Sequence, residues 1–359
     1  MAAPMVGRVL VFLVLVFQVY CWIPRFINGR PRGGMLGAPN VPKGTPTPPP
    51  QWFEMQRLDH FDGTNNKHWR QGAWIVYAKQ FGAIAVMLEH RYYGESHPVP
   101  DLSVENLRFL SSRQALADLA EFIDYFRVKR KLPTNKLISF GGSYPVLQSM
   151  PKWISQGAIG TDITLDTLCG IMNDFTRGTP LQRYADVNTL IMKTYGQKCL
   201  DYTYTKMISD MRQTDWKSGA GRQWMYQTCA EFGWYQSSDF SKQPFSFLFP
   251  LNYSLVQCQD IYNKSLDAST VYENVRDTNR YYGGRGIAIT KVVFPNGSID
   301  PWHAMGVTQN ISSEATAIYI EGTAHCANMY PARDQDPQQL TDARTKISSL
   351  IGSWLQTKS

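Results

Sequence analysis

The sequence has no run of five or more like charges, and only 18% of its 359 residues are charged. The basic excess, 36 Lys and Arg against 29 Asp and Glu, is therefore spread rather than gathered into a stripe. A nucleic-acid groove would concentrate it, so no nucleic-acid partner is expected. There is no Cys-x-x-Cys pair and no Cys/His spacing of a metal site, so no metal centre is expected. Neither a phosphate loop nor a dinucleotide fingerprint occurs, which leaves no cofactor to expect. No internal repeat stands out. What is present is a globular composition: 43% hydrophobic, 13% aromatic, with 27 Gly and 21 Pro. It excludes a disordered chain, a collagen-like repeat, a coiled coil and a multi-span membrane protein.

The N-terminus speaks to compartment. Arg8 precedes an apolar run from Val9 to Tyr20, broken only by Gln18. About twelve residues are too few to span a bilayer comfortably and suit the core of a secretory leader. Residues 1–28 therefore read as a signal peptide, with an uncleaved anchor as the alternative, because no small-x-small cleavage site follows. Once the leader is cleaved, no stable membrane partner is expected. Residues 29–50 form a Pro/Gly-rich linker ending in a short polyproline tract. Sequons begin at Asn252, Asn263, Asn296 and Asn310, with Asn252, Asn263 and Asn310 the glycosylation candidates. Five cysteines follow the leader: Cys169, Cys199, Cys229, Cys258 and Cys326. In an oxidising compartment that odd count means a free thiol, an intermolecular bond or a lost partner.

Beyond the linker, strand-like and helix-like stretches alternate. Ala83–Glu89 and Lys136–Phe140 read as buried strands. Between them, residues 112–130 place Leu116, Leu119, Ala120, Ile123 and Phe126 near helical spacing. Later strands are expected at Ile287–Phe294 and Ala317–Ile320, with a closing helix near Asp336-Pro337 that runs through Ile347, Leu350 and Ile351. This order predicts a parallel α/β sheet in two parts, residues 51–150 and 281–359. Residues 151–280 show no strand run and read as an inserted, mostly helical cap.

The chemistry gathers at three strand ends. Strand 136–140 runs into Gly141-Gly142-Ser143-Tyr144, the pattern of a nucleophile elbow. A tight turn there lifts the Ser143 hydroxyl above the sheet and aims the Tyr144 N–H where an oxyanion would form. Strand 287–294 leads to Asp300, and strand 317–320 leads to His325. Ser, Asp, His is the α/β-hydrolase order. A Ser hydroxyl is a weak nucleophile near neutral pH, so His325 would take its proton while Asp300 fixes the imidazole. His303 is a rival base. Arg91, Tyr92 and Trp302 are candidate pocket residues; a packed strand-end cluster is the alternative for Arg91 and Tyr92, and a place in the core is the alternative for Trp302.

The segments GGSY (141–144), LEHRYYGES (88–96), CGIMN (169–173), FPNGSIDPW (294–302) and EGTAHCANMYP (321–331) resemble those of the S28 serine exopeptidases. These include lysosomal Pro-X carboxypeptidase, dipeptidyl peptidase 2 and thymus-specific serine protease. The resemblance covers the chain from about Gln51 onward. It implies an α/β-hydrolase core with a helical cap, cleavage of peptides at prolyl bonds near a terminus, and a lysosomal or extracellular destination. Ser143, Asp300 and His325 match the family's nucleophile, acid and base. A Cys229–Cys258 disulfide is implied, leaving the pairing of Cys169, Cys199 and Cys326 open. The implied partner is a peptide, with a homodimer as candidate assembly.

Two departures accompany the match. After the elbow the chain reads Pro145-Val146 where the family has a small residue and Gly, and Val146 would crowd the helix against the strand. Upstream, His68-Trp69-Arg70-Gln71 joins Gly72 directly where the family has a strand ending in a GGEGP-like loop. Core and cap therefore both read as shortened, which makes an inactive relative the second reading and an esterase the third.

Overall fold

The computed structural model describes residues 10–15, 73–132, 134–141, 165–194, 196, 198–199, 201–242, 246–330 and 332–356. Short apolar runs bounded by turns form the strands. β1 (Leu10–Leu15), β2 (Ala83–Met87) and β3 (Leu137–Gly141) make a parallel sheet in the order β2-β1-β3. Leu13 faces Val86 on one side and Ser139 on the other. β4 (Val292–Gly297) and β5 (Ala315–Ile320) pair in parallel, with Phe294 opposite Ala317.

Nine helices of seven or more residues surround these strands among the described residues: α1 (Ala73–Gln80), α2 (Ser112–Arg130), α3 (Leu165–Asn173), α4 (Pro180–Thr194), α5 (Tyr204–Met211), α6 (Gly221–Gln227), α7 (Leu251–Ile261), α8 (Ala268–Tyr282) and α9 (Gln338–Gln356). α2 starts where Ser111 accepts the Gln114 N–H and ends at Lys131, in the left-handed region at φ 54. From Leu165 to Tyr282 the described residues hold helices and no strand.

Helices lie on both faces of the strands. Trp74 and Tyr77 of α1 and Leu340, Ile347 and Ile351 of α9 pack with Ala85, Ile318 and Ile320, which draws both sheets into one core. Leu119 and Phe126 of α2 pack on Val86 and Leu137. Ala85 and Val86 thus face opposite layers, as strand alternation requires. The helical region has a core of its own around Met207, Ile208, Met225, Leu255 and the Cys229–Cys258 disulfide, whose Cα atoms are 5.8 Å apart. It meets the loop after β2 through Tyr92, Tyr93, Leu102, Leu107, Trp224 and Phe232. Burying each such side chain contributes about 1.5–3 kcal/mol. An exposed pair such as Lys206–Asp210 contributes under about 1 kcal/mol. Apolar burial decides the association, and polar contacts fix its register: Arg222 Nε donates to the Leu102 carbonyl at 2.8 Å, and Gln223 Nε2 to that of Tyr92 at 3.1 Å.

Several sequence expectations shift. The buried face of α2 is Ala115, Leu119 and Phe126, whereas Leu116 is 44% exposed and Ala120 also faces solvent. Leu119, Ile123 and Phe126 pack on the core as the spacing predicted; Leu116 and Ala120 do not. The strand expected from Ile287 begins only at Val292, because a 3-10 turn at Gly284–Gly286 and a positive φ at Lys291 (53°) precede it. Leu10–Leu15, inside the run read as a leader, is the middle strand of the larger sheet. A leader core and a central strand both ask for a short uninterrupted apolar run, so composition does not separate them. The linker and the junction at Gln71/Gly72 lie outside the described residues.

Candidate active site

The carboxyl ends of β4 and β5 lie side by side, with Gly297 paired to Ile320 at the end of the ladder. A Cβ on Gly297 would stand 2.3 Å from the Thr323 carbonyl oxygen, so the two strand-end loops approach as only a glycine permits. Three hydrogen bonds lace them together. The Ser298 N–H donates to the Ile320 carbonyl at 3.0 Å, and the Ile299 N–H to that of Thr323 at 3.1 Å. The Gly322 N–H donates to Ser298 Oγ at 2.8 Å. The loops therefore behave as one rim.

Asp300 stands where the first loop turns into a 3-10 helix, Pro301–Met305. Its Oδ1 accepts the Trp302 N–H at 3.0 Å, and Pro301 supplies a preset φ at the first helical position. That cap uses one oxygen and aims the other at the second loop. Asp300 Oδ2 lies 2.5 Å from His325 Nδ1, with Asp300 6% and His325 4% exposed. A carboxylate only accepts, so Nδ1 carries the proton and Nε2 is the basic nitrogen. Burial strengthens the pairing, since it replaces water with a medium of lower dielectric. His303, the rival, places Nδ1 2.6 Å from the Asp300 backbone carbonyl and its ring edge-on to Tyr319. The Asp300 carboxylate contacts His325 and not His303.

Ser143 and Tyr144, with Pro145 and Val146, lie outside the described residues; β3 reaches Gly141 just before them. Arg91 and Tyr92 have scaffold partners. Arg91 grips Asp118 through Nε (2.6 Å) and Nη2 (2.5 Å) and donates to the Phe109 carbonyl. Tyr92 is fully buried, and its hydroxyl donates to the Asn106 carbonyl at 2.5 Å. Beside them, burial pushes the His90 imidazole down to about 4, against the opposing pull of the Arg91 carbonyl. Trp302 is half-buried at the rim. Its ring lies 5.7 Å from that of Trp234, and its buried Nε1 has no hydrogen-bond partner among the described residues.

Trp234 was not legible in the sequence as part of this rim. It follows a π turn, Thr228–Phe232, and a left-handed pair, Gly233 (φ 61) and Trp234 (φ 58), reverses the chain. The only local signal is the glycine.

Cys169 and Cys199 are exposed thiols, and Cys326 follows His325 at φ 55. The Asn252, Asn263 and Asn310 side chains are exposed, whereas Asn296 Nδ2 donates to the Val307 carbonyl at 2.8 Å. Among the described residues no group of three or more His, Cys, Asp or Glu side chains could hold a metal ion. No helix there is long and apolar enough to cross a membrane.

A family model described as serine carboxypeptidase S28 matches residues 65–156 and 152–347. The chain is 28% identical over 390 residues to mouse thymus-specific serine protease, covering 78% of this chain and 76% of that protein. It is 23% identical over 475 residues to mouse lysosomal Pro-X carboxypeptidase, covering 90% of this chain and 94% of that protein. Since this chain has 359 residues, at least 116 positions of the latter alignment (475 less 359) face no residue here.

Proposed function

The chain belongs to the serine carboxypeptidase S28 family, a family of serine peptidases with an α/β-hydrolase-type fold, and from that premise we propose that it is an exopeptidase cleaving prolyl bonds near a peptide terminus through Ser143, His325 and Asp300. The observation that carries this reading is the buried His325–Asp300 pair at the ends of adjacent parallel strands. Ser143 Oγ attacks the scissile carbonyl while His325 Nε2 takes its proton. Asp300 holds the Nδ1 tautomer and stabilises the imidazolium. The Tyr144 N–H donates to the oxyanion. Collapse of the tetrahedral intermediate passes the proton from Nε2 to the leaving amine, and water then releases the acyl group by the same steps in reverse. Trp302 and Trp234 wall the pocket, and Arg91 and Tyr92 hold the loop beneath it. Residues 151–280 act as the cap. Glycosylation at Asn252, Asn263 or Asn310 and a Cys229–Cys258 disulfide accord with a lysosomal or extracellular destination.

A fluorophosphonate probe tests the nucleophile. Labelling that vanishes in Ser143→Ala supports the reading; no labelling of folded protein defeats it. Release of the reporter from an H-Lys-Pro amide but not from a short-chain ester separates peptidase from esterase.

The second reading is a relative with the same ancestry and impaired catalysis. The 116 or more unmatched positions in the carboxypeptidase alignment favour it, as does Val146, where the family resemblance implies a glycine. Loss of one oxyanion donor alone costs about 10²–10³ in rate.

A further inference from the structure

Glu231 is a buried acid that the mechanism above does not use. It lies in the π turn Thr228–Phe232, is 8% exposed, and reaches out of the helical region to the start of α2. The Ser112 N–H donates to its Oε1 at 3.0 Å and its Oε2 at 2.9 Å, and Ser112 Oγ donates to Oε1 at 2.7 Å. Tyr282 at the end of α8 closes the cluster, its hydroxyl 2.8 Å from Ser112 Oγ. A carboxylate at the N-terminus of a 19-residue helix meets exposed N–H groups and the positive end of the helix dipole. One helical turn earlier, Gln227 Oε1 accepts the Tyr93 hydroxyl at 2.5 Å. α6 and the π turn that continues it are thus pinned to the α/β half at two points.

The chain just past this pin reaches the rim. Gly233 and Trp234 both take positive φ, and a Cβ on Gly233 would come within 2.9 Å of Val275 Cγ2. The reversal is therefore tight, and it lays the Trp234 ring 5.4 Å from Phe232 and 5.7 Å from Trp302. The Trp302 N–H is the one that Asp300 Oδ1 accepts. A path of direct contacts thus runs from Ser112 through Glu231, Phe232 and Trp234 to Trp302 and Asp300.

We propose that Glu231 is a positioning residue for the candidate site: by anchoring the π turn to the N-terminus of α2, it sets Trp234 against Trp302 and so fixes the pocket wall beside Asp300. The inference rests on the reading of Trp302 as a pocket residue. Glu231 shares its surroundings with the Arg113 guanidinium and the Tyr226 and Tyr282 hydroxyls. Burial pushes its carboxyl up, against the Ser112 hydrogen bonds and Arg113.

A pocket wall acts on binding rather than on the proton relay, so the effect belongs in KM. In Glu231→Gln, KM for a prolyl peptide amide is expected to rise about fivefold or more while kcat changes less than about twofold. Adding Glu231→Gln to Trp234→Ala should change KM no further, whereas independent effects would multiply. An unchanged KM in folded Glu231→Gln, or effects that multiply, overturn the proposal. Should Glu231→Gln fail to fold, Ser112→Ala removes only the hydroxyl and is expected to move KM in the same direction by about twofold; no movement overturns it. A fluorine NMR line of 5-fluorotryptophan at position 302, assigned with Trp302→Phe, reads the geometry without turnover. It should shift in Glu231→Gln, and a fixed line overturns the proposal even in a chain without activity. Absent activity with a shifted line defeats the peptidase reading and leaves the positioning intact.

Discussion

The two pieces of sheet are built differently. β4 and β5 follow one another closely, run in register to their last pair, and end in loops tied by three hydrogen bonds. In the larger sheet β2 and β3 flank α2 but do not touch; a strand from far upstream, Leu10–Leu15, joins them. Asp300 and His325 thus sit on a locally closed frame, and the strand that precedes Ser143 depends on closure over a long stretch of chain. Ordering a distant segment carries a larger loop entropy than ordering a neighbour. The Asp300–His325 pair is the sturdy half of the candidate site, and the proposed nucleophile, Ser143, follows the fragile half in sequence.

The largest expected effect breaks the fragile half. Leu13→Pro removes an N–H from the strand that lies between two others among the described residues, a place from which proline is essentially excluded. Thermal unfolding should lose its cooperativity, with no folded protein in size-exclusion runs. A melting temperature equal to the parent's would show that Leu10–Leu15 is dispensable and the two frames alike. Next comes the sturdy half. Asp300→Asn keeps the shape but disfavours the required tautomer, and about a 10⁴-fold loss of kcat is expected. The melting temperature should stay close to the parent's, and retained activity would remove Asp300 from the relay.

The smallest effect lies between them and depends on pH. Burial holds the His90 imidazole at about 4, below its ordinary 6.5. The neutral form is the one the fold accepts, so its contribution is complete above pH 6.5 and disappears as pH falls through 4. A depression of that size amounts to about 3 kcal/mol at most. Urea midpoints should fall over this window, and His90→Gln should flatten the slope. An unchanged slope would clear the loop after β2 of any part in acid sensitivity.

β2, β3, β5 and α2 were legible because short apolar runs and helical spacing are local properties, whereas the same kind of run at β1 was read as a leader. The meeting of Asp300 and His325 was legible because each follows a recognisable strand and the two strands pair side by side. The start of β4 was missed because Lys291, with its left-handed backbone, looks like any other lysine in sequence. Arg91 and Tyr92 looked like pocket residues because strand ends host chemistry, yet their polar groups are occupied by Asp118, Phe109 and Asn106. Trp234 and Glu231 were invisible because their partners, Trp302 and Ser112, lie 68 and 119 residues away.

Gly297 has a consequence for anyone surveying variants of this chain. It bears no functional group and touches no reacting atom, yet the carbonyl of Thr323 fills the space where any other residue would begin. Even alanine there would wedge apart the segments bearing Asp300 and His325. Missense changes should therefore be as poorly tolerated at this silent position as at Asp300 and His325 themselves. A tolerance map would mark it as essential without revealing why.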